Sequence, residues 1–201
     1  MTVMDRIDVL MTGVGGQGII LSSDVMSEAA IISGFDVKKT DVHGMAQRGG
    51  AVTSHVRIAH RVASPLIEEG KADILLAYEK LEAARWTSYL RPGGIAIVNN
   101  HSQPPLSVAL STDYYPSDND VLRLLKQRAE KVYLVNGTTL ARELGDARTL
   151  NILMMGCVSS FMPFDPDTLS KAIINLVPAK VRDLNLTAFD RGKEAVENAR
   201  V

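Results

Sequence analysis

Thiols are almost absent from this sequence: among its 201 residues, Cys157 is the single cysteine. One thiol cannot form an internal disulfide, and it cannot supply the set of thiolates that holds an iron–sulfur cluster. We therefore expect a cytoplasmic protein without a metal centre of its own, so that any redox metal belongs to another chain. Because Cys157 lies in the most apolar stretch of the sequence, we interpret it as a small core residue.

An excess of either charge is also missing, because 22 Lys and Arg residues and 23 Asp and Glu residues give a formal net charge of -1. No basic stretch is interleaved with aromatic residues, so nothing favours a nucleic-acid partner. Apolar runs stay short of the roughly 18 residues that a membrane span requires, and we expect no secretion signal. The sequence thus predicts that neither nucleic acid nor membrane is a partner.

The periodicity of the chain alternates between strand and helix patterns, which is typical of α/β folds. We expect one domain, residues 1–201, with a three-layer, Rossmann-like architecture: a largely parallel or mixed sheet with helices on both faces. Strands are predicted at 8–12, 35–39, 52–58, 73–77, 95–98 and 132–135. Helices are predicted at 19–32, 79–90, 119–130, 138–144, 150–161, 166–176 and 179–198. The pattern of 100–116 predicts no definite element and leaves two alternatives open, an irregular loop or an edge strand.

Two local patterns add detail to this outline. The strict alternation over 52–58 predicts a strand with one solvent-exposed face, on which His55 and Arg57 lie together. The run Pro92-Gly93-Gly94 is predicted to end the helix that precedes it. No cysteine or carboxylate accompanies the histidines at the spacing of metal ligands, so we do not expect a metal site.

A first glycine cluster, Gly13-Val14-Gly15-Gly16-Gln17-Gly18, follows a predicted strand and opens a helix. Its spacing is that of the G-x-G-x-x-G fingerprint of dinucleotide-binding folds. Two interpretations remain open: backbone N–H groups at the helix start hold an anion, or the glycines only permit a tight turn and close packing. The acidic residue that would bind a ribose hydroxyl is replaced by Lys38 and Lys39, which suit a 2′-phosphate or a coenzyme A phosphate.

A second cluster, His43-Gly44-Met45-Ala46-Gln47-Arg48-Gly49-Gly50, follows about thirty residues later. The guanidinium of Arg48 suits bidentate binding of a carboxylate or phosphate, or an inter-subunit salt bridge. His43 suits proton transfer near neutral pH or a plain hydrogen bond, and no nucleophile accompanies it. We therefore predict no catalytic residue, but a binding surface made of Gly13, Gly15, Gly16, Gln17, Gly18, His43, Arg48, Gly49 and Gly50.

The two clusters, together with Ser54-His55-Val56-Arg57 and residues 151–156, resemble the gamma-type chains of 2-oxoacid:ferredoxin oxidoreductases. The version from His43 to Gly50 is similar to that of the indolepyruvate enzymes, whose corresponding chain is called subunit beta. The resemblance implies an accessory subunit of a heteromer that oxidatively decarboxylates an aryl 2-oxoacid to an acyl-coenzyme A. It also implies an alpha subunit as partner, which carries thiamine diphosphate and iron–sulfur clusters and passes electrons to ferredoxin.

In that case coenzyme A is a co-substrate, and this chain alone is inactive and holds no cofactor. A thiamine diphosphate signature is indeed missing, since Gly145-Asp146 continues with Ala147 and not with glycine. Related chains serve pyruvate, 2-oxoisovalerate and 2-oxoglutarate enzymes, which remain alternatives. Two further classes stay open: a free-standing NAD(P)-binding oxidoreductase that uses Gly13, Gly15 and Gly18, and a non-catalytic assembly protein whose glycine clusters only dock a partner.

Overall fold

The structure is a computed structural model that describes residues 6–43, 50–105, 108 and 114–201. Its strands are β1 (Arg6–Val14), β2 (Asp36–His43), β3 (Ala51–Ala59), β4 (Ala72–Ala77), β5 (Leu90–Asn99) and β6 (Ala129–Val135). They form one sheet in the order β2-β3-β1-β4-β5-β6. The pairs β1–β4, β4–β5 and β5–β6 are parallel, whereas β3 runs antiparallel to both β1 and β2. The sheet is therefore mixed.

The helices of the described residues are α1 (Ile19–Ile32), α2 (Lys80–Arg85), α3 (Asp118–Lys126), α4 (Gly137–Glu143), α5 (Leu150–Ser159), α6 (Pro166–Leu176) and α7 (Arg182–Glu197). Short 3-10 turns lie at Thr87–Tyr89, Ala147–Thr149 and Ala179–Val181. None of these helices has the length and apolar character needed to cross a membrane.

Helices cover both faces of the sheet, and each face has its own apolar core. On one face, Val9 and Met11 of β1 pack in a cluster to which α1, α5, α6 and α7 contribute. On the other face, Leu10 packs in a second cluster with residues of α2 and α3. Because successive side chains of a strand point to opposite faces, a strand buried on both sides must be largely apolar, as β1 is. The predicted three-layer α/β fold is confirmed.

The direction of β3 decides which chain segments meet at the end of the sheet. Strands β1, β2, β4, β5 and β6 all run the same way, and we call the end at which they finish the carboxyl edge. Because β3 runs the opposite way, its start also lies at this edge, next to the end of β2. The first glycine cluster and the two described ends of the second, His43 and Gly50, are therefore adjacent to the carboxyl edge.

The expectation of a solvent-exposed face on β3 is wrong. Thr53 and His55 lie on the face that the sequence marks as polar, yet they are only 2% and 4% exposed. The segment after β3 covers them: the N–H of Ile67 donates to Nδ1 of His55 at 3.2 Å. The alternation thus identified the polar face correctly but not its burial, because a loop covers that face in place of water.

The run Pro92-Gly93-Gly94 also has a different role from the predicted one. Helix α2 ends earlier, at Arg85, and the run lies inside β5. Gly93 has a φ of 78°, and the register between β5 and β6 shifts between Gly94 and Ile95. Proline and glycine therefore make the start of this strand irregular, which a sheet tolerates at a strand end or a bulge.

Helices α5 and α7 cross with their backbones in contact. A Cβ atom built on Gly156 would lie 2.0 Å from the carbonyl oxygen of Phe189, and one on Gly192 would lie 1.9 Å from that of Leu153. Cys157 belongs to the same crossing: its thiol donates to the carbonyl of Gly192 at 3.3 Å, and burial raises its pKa to about 12. The interpretation of Cys157 as a core residue is confirmed.

The C-terminal residues pair with β6 at one side of the sheet. The N–H of Leu134 donates to the carbonyl of Ala199 at 2.8 Å, and the N–H of Val201 donates to that of Val132 at 3.0 Å. Tyr133 and Arg200 form an antiparallel bridge. This short segment covers the outer edge of β6.

Candidate functional site

The first glycine cluster contacts the described end of the second at the carboxyl edge. The N–H of Gly15 donates to the carbonyl of Gly50 at 2.9 Å, which joins the end of the second cluster to the first. The backbone of His43 pairs with Val52 at the end of β2. Residues 44–49, with Arg48 and Gly49, lie outside the described residues. The predicted surface is thus brought together as far as the structure describes it.

The side chain of Gln17 shapes the turn between β1 and α1. Its Oε1 accepts a hydrogen bond from the N–H of Val14 at 2.8 Å, and its Nε2 donates to the carbonyl of Tyr78 at 3.2 Å. Gln17 therefore closes the turn on itself and ties it to the end of β4, which fixes its position at the carboxyl edge.

The glycines of this turn are needed for different structural reasons. A Cβ on Gly13 would lie 2.8 Å from Cβ of Tyr78, and one on Gly18, whose φ is 77°, would lie 2.8 Å from Asn151. These two positions are glycine because other parts of the chain approach them closely. Gly16, with a φ of 101°, has no described atom within 4 Å of the place that a Cβ would take. The described residues thus leave the backbone around Gly16 uncovered.

Helix α1 begins at this turn without a side-chain cap. Its N-cap is Gly18, no side chain of the described residues caps the first turn, and no acidic residue lies in that turn. The N–H groups of a first helical turn have no partner inside the helix, and the helix dipole makes this end electropositive. An anionic or carbonyl group placed at this end would satisfy them.

Next to this helix end is an open cavity of about 290 Å³, which we call the glycine cleft. It is lined by Val14, Gly15, Gly16, Gly18, Ile19, Ile20 and Val52. None of these described residues carries a charge, and Ile20 is 42% exposed. The cleft therefore suits an apolar group placed beside the electropositive helix end, either from a partner chain or from a ligand.

Lys39, which the sequence suggests for phosphate binding, is used within the chain. Its Nζ lies 2.5 Å from Oδ1 of Asp24 and 3.1 Å from Oδ2 of Asp41. Burial disfavours the charged form of Lys39, but the two carboxylates more than offset this and raise its pKa. Asp41 also accepts a hydrogen bond from Ser54 Oγ at 2.6 Å. Neither Lys39 nor Asp41 is therefore arranged to bind a nucleotide ribose or its phosphate.

A buried polar network lies directly behind the carboxyl edge, and sequence reasoning missed it. The hydroxyl of Tyr78 donates to Ser22 Oγ at 2.7 Å, and burial raises the pKa of this hydroxyl. Nδ2 of Asn99 donates to the carbonyl of Tyr78 at 3.0 Å and to Oγ1 of Thr138 at 2.8 Å. The network joins α1, the ends of β4 and β5, and the start of α4, so it fixes the elements around the glycine cleft.

The role of Glu79 was missed as well, although this residue begins the predicted helix 79–90. Its side chain is only 1% exposed, and its Oε1 accepts hydrogen bonds from the N–H of Gln103, at 2.9 Å, and from the hydroxyl of Tyr115. Its Oε2 accepts the N–H of Glu82 at 2.9 Å, which caps α2. One buried carboxylate thus holds two points of the segment for which the sequence predicted no element.

No cluster of three or more His, Cys, Asp or Glu side chains suited to a metal ion occurs among residues 6–43, 50–105, 108 and 114–201. The sole thiol of the sequence is buried with a raised pKa, whereas cysteine binds iron and zinc as the thiolate. The donor groups that the structure describes therefore do not form a metal site.

Comparison with known proteins agrees with this architecture. Residues 8–195 match the family model described as pyruvate ferredoxin/flavodoxin oxidoreductase. The chain is 34% identical over 197 residues to the indolepyruvate oxidoreductase subunit IorB of Pyrococcus horikoshii, covering 96% of this chain and 98% of that protein. It is 35% identical over 189 residues to the protein of the same name from Archaeoglobus fulgidus, covering 93% and 94%.

A solved structure shows the same fold. The gamma subunit of a keto/oxoacid ferredoxin oxidoreductase from Geobacter sulfurreducens PCA superposes with a TM-score of 0.71 at 26% identity, covering 96% of this chain and 99% of that one. The resemblance inferred from the two glycine clusters is confirmed. The chain belongs to the pyruvate ferredoxin/flavodoxin oxidoreductase family.

Proposed function

We propose that this chain is the accessory, gamma-type subunit of an indolepyruvate ferredoxin oxidoreductase. Relatives named as IorB subunits support this, since they match nearly the whole chain at about one third identity, 34% and 35%. In the proposed heteromer, the alpha subunit holds thiamine diphosphate and iron–sulfur clusters, which supply decarboxylation and electron transfer to ferredoxin. This chain contributes a surface beside the active site, because its described side chains do not suit a metal cluster.

At the level of residues, the proposal rests on the glycine cleft and on the hydrogen bond from Gly15 to Gly50 beside it. An uncapped helix end, open backbone at Gly16 and an exposed Ile20 together form a surface that lacks a cover within the described chain. Such a surface is complementary to a partner that brings an apolar group and an acceptor to the same place.

Within this surface we assign different roles to the predicted residues. Gly13, Gln17 and Gly18 shape the turn, while Gly15 and Gly50 join the two glycine clusters. The remaining members contact the alpha subunit, coenzyme A or the substrate carboxylate: Gly16, His43, Arg48 and Gly49. Coverage of the cleft excludes water from the reacting groups and leaves fixed backbone dipoles in its place.

A free-standing NAD(P)-binding enzyme has less support. The fingerprint spacing is present, but Lys39 pairs with Asp24 and Asp41 instead of facing the cleft. The cleft itself, about 290 Å³, is at the small end of ligand pockets, which usually measure roughly 300 to 1,000 Å³. A dinucleotide would extend well beyond it.

The subunit assignment is tested by purifying the tagged chain from its native host under anaerobic conditions. We expect a brown complex with a thiamine-containing partner, which reduces a viologen dye in the presence of coenzyme A and indolepyruvate. Pyruvate, 2-oxoisovalerate and 2-oxoglutarate serve as competing substrates and should be slower. A colourless chain that arrives alone and binds a nicotinamide dinucleotide would contradict the proposal.

The docking role of the cleft is tested by two substitutions on the same helix. Ile20→Asp places a charge in the cleft, whereas Ile31→Asp places the same charge near the other end of α1, where Ile31 is 59% exposed. We expect Ile20→Asp to lose co-purification of the alpha subunit and Ile31→Asp to retain it, with both chains folded by circular dichroism. Equal behaviour of the two variants would show that the cleft is not the contact.

The role of Arg48 is tested in the assembled complex. We expect Arg48→Ala to lower formation of the aryl-acyl-coenzyme A, because a charge-assisted contact to an anion is lost. Arg123→Ala, an exposed arginine of α3, is the control for the change in charge. If Arg48→Ala left both assembly and product formation unchanged, this residue would have no part in the site.

A further inference from the structure

A second cavity lies at the opposite end of the sheet, where β1 begins and β3 ends. It measures about 260 Å³ and is lined by Arg6, Asp8, Arg57, Ala59, Arg61, Val62, Ala63 and Ser64. We call it the arginine pocket. Strand β1 separates it from the glycine cleft by roughly 26 Å, at about 3.3 Å per residue. The arginine pocket is therefore independent of the proposed subunit contact.

Two of its guanidinium groups are fixed by a carboxylate with no solvent exposure. Nε of Arg57 donates to Oδ1 of Asp8 at 3.1 Å, and Nε of Arg6 donates to Oδ2 at 3.0 Å. The hydrogen bond to Asp8 raises the pKa of the Arg6 guanidinium. Nη1 of Arg57 also donates to the carbonyls of Ser64 and Leu66, both at 3.0 Å. The orientation of these groups is thus set before any ligand binds.

These bonds leave donors unused. A guanidinium has more N–H groups than the contacts above engage. Within the described part of the chain, Nη2 of Arg57 and Nη1 of Arg6 have no hydrogen-bond acceptor. Arg61 has neither a hydrogen bond nor an ion pair with any described residue. Three cationic side chains therefore share one pocket with donors still available.

The residues that line the arginine pocket carry an excess of positive charge. The lining contains three arginines and one aspartate. Asp73 accepts hydrogen bonds from Arg91 Nε at 2.6 Å and from the N–H of Asp8 at 2.8 Å. Asp36 accepts the N–H of Val62 at 2.7 Å. Glu68 also interacts electrostatically with Arg6. These three carboxylates keep their negative charge but lie outside the lining, so the excess of positive charge is confined to the lining itself.

We propose that the arginine pocket binds a phosphate-sized oxyanion through Arg6, Arg57 and Arg61. The guanidinium groups of Arg6 and Arg57, whose orientation Asp8 fixes, match the oxygens of such an ion. Arg61 adds a third positive charge, and the partial burial of Arg57 strengthens the interaction. The volume accommodates the ion with a few waters but not a nucleotide. Since Arg61 and Ser64 belong to the segment between β3 and β4, the bound ion would tie that segment to the start of β1.

The test is a titration of the full, isotopically labelled chain with inorganic phosphate, followed by amide chemical shifts in NMR and compared with sodium chloride at equal ionic strength. We expect saturable shifts confined to residues 6–8 and 57–64, and competition by sulfate. Arg61→Ala should weaken phosphate binding roughly tenfold, the loss expected for a charge-assisted hydrogen bond. Arg123→Ala removes the same charge from an exposed helix position and should leave the affinity unchanged.

Three results would overturn the proposal. One is the absence of saturable shifts with phosphate. Another is equal weakening by Arg61→Ala and Arg123→Ala, which would indicate unspecific attraction to net charge. The third is a set of shifts centred on the glycine cleft, which would place the anion at the other end of the sheet.

Discussion

Glycines occur in opposite surroundings at two places in this chain, the crossing of α5 and α7 and the turn between β1 and α1. At the crossing, Gly156 and Gly192 lie against backbone carbonyls, and a Cβ atom would come within 2.0 Å and 1.9 Å of them. At the turn, Gly16 faces space with no described atom within 4 Å. Glycine content alone therefore does not identify a binding surface. The space around each glycine separates internal packing from external contact.

The largest effect is expected at the crossing. Gly192→Ala places a methyl group on the carbonyl of Leu153, so the two helices must separate. We expect a loss of at least about 3 kcal/mol in the free energy of unfolding, at the upper end of overpacking effects. Urea denaturation of the purified chain measures it. A loss below about 1 kcal/mol would show that the two helices separate at little cost. Close packing would then distinguish the crossing less clearly from the turn.

Gly18→Ala should have the next largest effect on stability, because Gly18 combines a positive φ with close contact to another part of the chain. Its φ of 77° is unfavourable for alanine, and a Cβ atom would lie 2.8 Å from Asn151. Gly34→Ala is the matched control, since Gly34 has a φ of 81° and nothing within 4 Å. We expect about 2 kcal/mol for Gly18→Ala and about 1 kcal/mol for Gly34→Ala in the same denaturation experiment. Equal losses would mean that backbone strain alone explains Gly18.

The reactivity of the Cys157 thiol measures how well the crossing of α5 and α7 excludes solvent and reagents. Because burial raises the pKa of Cys157 to about 12, its reaction with a disulfide reagent at pH 8 should be very slow until the chain unfolds. The contribution of this thiol to stability should be complete below pH 9, its ordinary pKa, and fall above it, because the unfolded thiol ionises first. Gly192→Ala should accelerate labelling. Fast labelling of the unaltered chain would contradict a closed crossing.

Gly16→Ala should change stability least and assembly most. With a φ of 101° and open surroundings, it should cost only about 1 kcal/mol in the isolated chain. Gly145→Ala imposes the same kind of strain, at a φ of 96°, away from the glycine cleft. We expect Gly16→Ala alone to reduce association with the alpha subunit, measured as co-purified partner per tagged chain. Identical association of both variants would show that Gly16 is not part of a contact surface, contrary to the proposal for this turn.

Much of the fold was predictable from local patterns. The bounds of α1 and α6 agree with the prediction, because apolar spacing ends before Gly34 in the first case and Pro166 follows a capping Asp165 in the second. The pairing of β3 was not predictable. An antiparallel strand inserted between β1 and β2 has the same apolar pattern as a parallel one.

The candidate site was predictable only as a set of positions. The glycine clusters were visible in the sequence, but the reasons for Gly13 and Gly18 depend on Tyr78 and Asn151, which are distant in the chain. Asn99 was missed because a single polar residue after a strand is also the ordinary start of a loop. Glu79 was missed because an acidic residue is ordinary at the start of a predicted helix. Burial and partners, which the sequence does not display, give these residues their roles.

The two outer edges of the sheet differ in what prevents strands of other chains from pairing with them. The β6 edge is closed by residues 199–201, whose hydrogen bonds occupy its outward backbone groups. At the other edge, no strand of the described chain pairs with the outer side of β2, which carries the exposed Lys38. Lysine on an open edge strand discourages edge-to-edge stacking of sheets. The backbone groups of one edge are thus occupied, and the other edge carries a charged side chain. Both features should keep newly made chains from forming fibrils before they bind their partner.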